Sequence, residues 1–158
     1  MRIVLALVLM LTVVGVTAMQ AKKLPQDLPK ELLVLSRATV FAYGNGGESN
    51  QPEEHYAAYL TACKNWQSCN FQDLEWMLKN ATPAGKLYAA ALIHEMRLAN
   101  GKTDGNEGFR TLLTDQSKVS YQTGCKGFSF KVSGIAQAFN DKGKFMNFQL
   151  SLKPQVEK

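Results

Sequence analysis

Few residues in this chain have the types and spacing that chemistry requires. His94-Glu95 lies in an apolar stretch of helical period. A zinc protease needs two histidines one helical turn apart on one face, with a glutamate between them as base. Position 98 is Leu98, so that motif fails, and His94 reads as a packed or capping histidine. Cys125 could act as a nucleophile only if the fold brought His94 or His55 to it. Burial as an inert thiol is the plainer expectation. Glu53, Glu54, Asp73 and Glu75 are the carboxylates from which a glycosidase pair could be drawn, but acids at a helix start are already explained by the helix dipole. The loop Gly44-Asn-Gly-Gly-Glu-Ser49 could form an anion nest. A phosphate site would need a Lys and Ser/Thr pair opening the following helix, and Glu48 stands there instead. No C-x-x-C is present and the two histidines are far apart, so no metal or cofactor is expected.

The first residues bear on the compartment. Arg2 precedes an uncharged apolar run from Ile3 to Val16 and small residues at Thr17 and Ala18. That order describes a secretory signal peptide over residues 1–18, with cleavage after Ala18 and, as second choice, after Ala21. The run falls short of the roughly 20 apolar residues of a membrane span, so no stable insertion is expected after cleavage, with an uncleaved anchor the alternative. The remaining residues 19–158 suit a single globular domain. Net charge falls from +5 to +4 when Arg2 is removed, and the basic residues form no run. Nucleic-acid binding is not indicated, because no basic stripe interleaved with aromatics appears. The expected location is periplasmic or secreted.

In such a compartment two of the three cysteines should be bridged. Cys63–Cys69 is the local pair and the favoured one; a bridge from either to Cys125 would tie the halves of the chain together. Trp66 lies between Cys63 and Cys69 in a short polar loop. A tryptophan pinned there by a disulfide would make a good interface anchor, so Trp66 is a candidate partner contact.

The elements that position these residues follow from patterning. Thr82 can cap a helix over 83–99 with Pro83 at its first position, and Asn100-Gly101 supplies a left-handed stop. This helix is apolar almost all round, so it should be covered on several sides. Gly85 and Ala89, one turn apart, would admit a neighbouring backbone. Before it, Lys30 to Ser36 reads as a short helix, and Thr39, Val40, Phe41 and Tyr43 as a strand rather than a continued helix. Pro52-Glu53-Glu54 starts a helix whose buried stripe is Tyr56, Tyr59, Leu60 and Cys63, leaving His55 exposed. Asn70 caps another, with Phe71, Leu74, Met77 and Leu78 inward. Phe109, Leu112 and Leu113 suggest a short helix. Val119 and Tyr121 then alternate with polar residues, Gly124 to Gly127 turns the chain, and Phe128, Phe130 and Val132 alternate again. The strand is expected to continue to Phe139, with Gly134 as a bend, then turn at Asn140-Asp-Lys-Gly143 into Met146, Phe148, Leu150 and Leu152. The expected fold is α+β: an N-terminal helical part around 83–99, followed by a C-terminal antiparallel β-meander.

Thr82-Pro-Ala-Gly-Lys-Leu-Tyr-Ala-Ala90, with Tyr121-Gln-Thr-Gly-Cys125 downstream, resembles uncharacterised secreted bacterial proteins that carry a T-P-A-G-K-x-Y-A helix start. The resemblance brings no activity and no functional residue. Tyr88 in that motif should bury its ring with the hydroxyl satisfied. The function expected from all this is a secreted or periplasmic binding protein, inhibitor-like or an envelope component, whose partner is another envelope or secreted protein. A small secreted hydrolase is the alternative, and the enzyme question leans to no.

Overall fold

The computed structural model describes residues 28–44 and 53–150. The signal-peptide reading, most of the glycine-rich loop, Leu152 and Pro154 lie outside them. In chain order the elements are α1 (Lys30–Ser36), β1 (Val40–Tyr43), α2 (Glu54–Lys64), a 3-10 turn (Trp66–Ser68), α3 (Phe71–Asn80), α4 (Pro83–Ala99), α5 (Glu107–Arg110), β2 (Lys118–Thr123), β3 (Lys126–Lys131), α6 (Val132–Lys142), β4 (Lys144–Phe145) and β5 (Phe148–Gln149). The fold is α+β, with the main helical part ahead of most of the strands.

α4 is the axis of the molecule. The Thr82 hydroxyl oxygen accepts from the Gly85 N–H at 3.1 Å, and Pro83 occupies the first helical position. At the other end the Gly101 N–H reaches the Leu98 carbonyl and the Lys102 N–H the Arg97 carbonyl, with Gly101 at φ 73°. Those two bonds make a Schellman end, which satisfies carbonyls the helix leaves over. Eleven of the seventeen residues of α4 are buried, and α1, α2, α3, α5, α6, β1 and β2 all pack against it. An all-round apolar helix can be stable only with such cover.

The Thr82–Gly85 motif does more than open a helix. The Thr82 hydroxyl donates to the Ala38 carbonyl at 2.5 Å, and the Thr82 N–H donates to the Ser36 carbonyl at 3.1 Å. These contacts seat the end of α1 on the start of α4, where the positive end of one helix dipole meets carbonyls from the other. Tyr88 completes the join: its hydroxyl accepts from the Ala42 N–H at 2.8 Å and donates to the Ala42 carbonyl at 3.3 Å. Strand β1 is thus pinned to α4 by a buried phenol whose polar end is satisfied at both lone pair and proton.

The sheet differs from the expected meander. β2 and β3 do form an antiparallel hairpin, with Val119 opposite Phe130 and Tyr121 opposite Phe128. The third strand, however, is β1, which runs parallel to β2 and gives the order β1-β2-β3. The segment expected to carry the strand to Phe139 is helix α6. Its buried residues, Val132, Ile135, Ala136 and Phe139, have helical spacing, and Gly134 is an ordinary helical residue rather than a bend. Asn140 to Gly143 is accordingly the end of that helix, closed by Gly143 at φ 65°, and β4 and β5 form a separate two-stranded hairpin. The start of α6 has no side-chain cap. Instead the Val132 N–H donates to the Ser117 carbonyl and the Ser133 N–H to the Asp115 carbonyl, both at 2.9 Å. The unpaired amides of the first turn are met by a distant segment, so no capping residue marks this helix in the sequence.

Asp115 braces the same corner. Its Oδ2 lies 2.8 Å from Lys86 Nζ on α4, and its Oδ1 accepts from the Ser117 N–H at 2.9 Å. Burial alone would raise this carboxyl, but the bonds from Lys86 and Ser117 outweigh it and hold the group below the usual carboxylate range.

Candidate functional site: the Trp66 loop

The site is built on the ends of α2 and α3. Glu53 caps α2: its Oε2 accepts from the N–H groups of His55 at 2.9 Å and Tyr56 at 3.1 Å. Its Oε1 lies 2.7 Å from His55 Nδ1, so His55 is folded back onto the cap and largely covered, not exposed as its place off the helix stripe implied. α2 ends at Lys64, the chain makes the 3-10 turn, and the Cys69 N–H returns to the Trp66 carbonyl at 3.0 Å. Asn70 then caps α3 by accepting from the Gln72 N–H at 3.0 Å. Two capped helices and one closed turn fix the position of the indole between them.

Trp66 is half-buried and packs on the edge of the core. Lys64, Asn65, Trp66 and Gln67 line an open concavity of about 470 Å³. An indole packed on the core and lining a hollow together with Lys64, Asn65 and Gln67 can place an apolar surface beside polar side chains against a partner.

Below Trp66 the chemistry is quiet. Cys63, Cys69 and Cys125 are all thiols, so the expected Cys63–Cys69 bridge is not formed and the turn is held by the backbone instead. Tyr59, with 5 % of its surface exposed, lies beside the Cys63 thiol. Burial pushes the Cys63 thiol up to about 12, and the nearby Glu95 charge adds to that, against the partial relief from Tyr59. A sulfur held in its thiol form at neutral pH is no nucleophile. Cys63 keeps part of its surface exposed, whereas Cys69 is buried. Cys125, expected to be buried, is exposed at the β2–β3 turn. In the reduced native protein, then, one thiol should react rapidly with a disulfide reagent at pH 8. Cys63 and Cys69 should lag by about a hundredfold or more, Cys63 because it is held as the neutral thiol and Cys69 because it needs an opening of the fold. Mass spectrometry of the labelled peptides reads this directly. Because the folded state favours the neutral Cys63 thiol, its contribution to stability is full below pH 9, the group's ordinary value, and is lost as pH rises from there through about 12.

The remaining sequence candidates are brought to no common centre. His94 is buried, with Nδ1 3.0 Å from Asn106 Oδ1, and Asn106 in turn donates through Nδ2 to the Asn140 carbonyl at 3.0 Å. The ring fastens the loop after α4 to the end of α6. Gly105 is pressed against it so closely that a Cβ there would fall 2.5 Å from Nδ1. Among the described residues no group of three His, Cys, Asp or Glu side chains stands close enough to hold a metal. No protein-family model, curated protein or solved structure matches this chain. Function must therefore be read from its own side chains.

The residue types that sequence reading passed over are apolar ones at the surface. Phe128 is 40 % exposed and Met146 47 % exposed, although both stood in alternating patterns that suggested an inward face. Alternation marks one face of a strand but does not say whether anything covers its outermost end.

Proposed function

We propose that this protein is a periplasmic or secreted binding protein, inhibitor-like in its mode, which captures another envelope or secreted protein through the loop around Trp66. The observation that carries the reading is the half-buried indole, held by two capped helices and a closed 3-10 turn, at a hollow lined by Lys64, Asn65 and Gln67. Rigid aromatic side chains at concave surfaces are the residues on which interface energy concentrates. The signal-like residues 1–18 support export. The thiol chemistry beside Trp66 supports binding over turnover, because Cys63 is held protonated.

The test is site-specific photocrosslinking in envelope fractions of producing cells, with benzoylphenylalanine at Gln67. The expected result is one discrete adduct that disappears in the Trp66→Ala background while the circular dichroism of the variant stays native. Against a purified partner, Trp66→Ala should weaken binding by about 2–4 kcal/mol, a factor of roughly thirty to a thousand. An adduct that is unchanged by Trp66→Ala, or no stronger than one from a probe at Lys79, overturns the proposal.

A further inference from the structure

β3 is an edge strand: the sheet order is β1-β2-β3, and among the described residues no strand pairs with its outer side. Five of its six residues are exposed and the sixth, Phe130, is half-buried. An edge of this length leaves a row of backbone donors and acceptors ready to pair with another chain. Its side chains are informative. Phe128 and Phe130 lie on one face with ring centroids 6.2 Å apart, and Phe130 meets Phe145 at 5.0 Å, so an apolar strip runs outward from the core to the rim. Lys126 and Lys131 close the two ends of the strand, and Lys118 lies opposite Lys131 in the register. From residue 116 to residue 140 the chain has three lysines and no acidic residue.

This charge pattern decides between occupants. A second copy pairing antiparallel about the middle of β3 would set each Lys126 against a Lys131, and like charges directly opposite are unfavourable. The chain's own tail is a poor occupant on the same ground, since residues 151–158 contain two lysines and one glutamate. An extended segment with acidic residues at its ends and apolar residues between would pair every group along the edge. We propose that the β3 edge binds an acidic extended segment of a partner polypeptide by strand addition, with Lys126 and Lys131 reading its charges and Phe128 and Phe130 its apolar side chains. Main-chain hydrogen bonds would supply the pairing and alternate side chains the selectivity.

The probe is a fluorescein-labelled peptide, Glu-Val-Thr-Val-Thr-Glu with blocked ends, compared with its counterpart carrying lysine at both ends. Fluorescence anisotropy with the purified protein is expected to show the acidic peptide binding at least about tenfold more tightly at low salt, and the difference should shrink as salt is raised. The double substitution Lys126→Glu/Lys131→Glu, on exposed side chains, should reverse the preference, whereas Trp66→Ala should leave it unchanged. Hydrogen exchange should slow at residues 126–131 when the acidic peptide is bound. Equal affinity for the two peptides, no binding of the acidic one, or a preference that survives the double substitution overturns the proposal. So does binding that appears only when the chain is ended at Leu150, because the protein's own tail would then be the occupant.

Discussion

Replacing Gly85 by alanine is expected to destabilise the protein by about 2–3 kcal/mol, although alanine is the better helix former by about 1 kcal/mol. A Cβ at this position would lie 2.7 Å from the Leu35 carbonyl oxygen, 3.0 Å from the Ser36 carbonyl oxygen and 2.9 Å from the Ala81 Cβ. Two of these neighbours are backbone atoms at the end of α1, and they cannot swing aside as a flexible side chain would. Relief requires α1 to lift from α4, which strains the Thr82 bonds to Ser36 and Ala38. Gly134 in α6 is the matched control. A Cβ there meets nothing within 4 Å, so Gly134→Ala should stabilise by about 0.5–1 kcal/mol through the unfolded chain's lost freedom. Urea unfolding followed by circular dichroism measures both. Equal effects at the two glycines would mean that α1 does not approach α4 this closely.

Phe41→Ala is expected to cost still more, about 3–5 kcal/mol, a large part of a typical domain's 5–15 kcal/mol. Phe41 has no exposed surface. Its ring lies 4.8 Å from both Tyr88 and Phe148 and 6.1 Å from both Tyr121 and Phe139, joining α4, β5, β2 and α6 at one point. Truncation would leave a cavity walled by rings from four elements, which cannot all collapse inward together. It would also loosen β1, a strand of only four residues whose seat depends on Tyr88 and Ala42. Phe128→Ala, at an exposed ring, should change stability by less than about 1 kcal/mol. The same unfolding experiment compares them. A small loss at Phe41 would show that the ring cluster is not the centre of the core.

What could be read in the sequence was local. Thr82-Pro83 and Asn100-Gly101 delimit α4 because caps act over one turn and their partners are residues a few positions away. Tyr56, Tyr59 and Cys63, like Leu74 and Met77, face the core because helical periodicity is itself local. The failure of the zinc motif at Leu98 needed no structure to recognise. Trp66 is legible as a tryptophan in a short polar loop between Cys63 and Cys69, but the disulfide expected to pin it is not formed, and its hollow is not visible from spacing.

What escaped sequence reading was settled by groups distant along the chain. α6 begins without a capping residue since Ser117 and Asp115 supply its first acceptors, and with that signal absent the phenylalanine alternation of β3 reads on through Gly134. β1 joins the sheet through β2, nearly eighty positions later, and runs parallel to it, a pairing that no turn residue announces. His55 is drawn to Glu53 by a charge-assisted bond that helix phase does not encode. Cys125 and Phe128 are exposed because nothing described covers the far edge of the hairpin. Sequence alone thus determined where the helices of the first half start and stop and that the chain is α+β. Tertiary structure decided which strands pair, where the last helix begins and which apolar groups remain at the surface, because those outcomes depend on acceptors and cover supplied by residues remote in the chain.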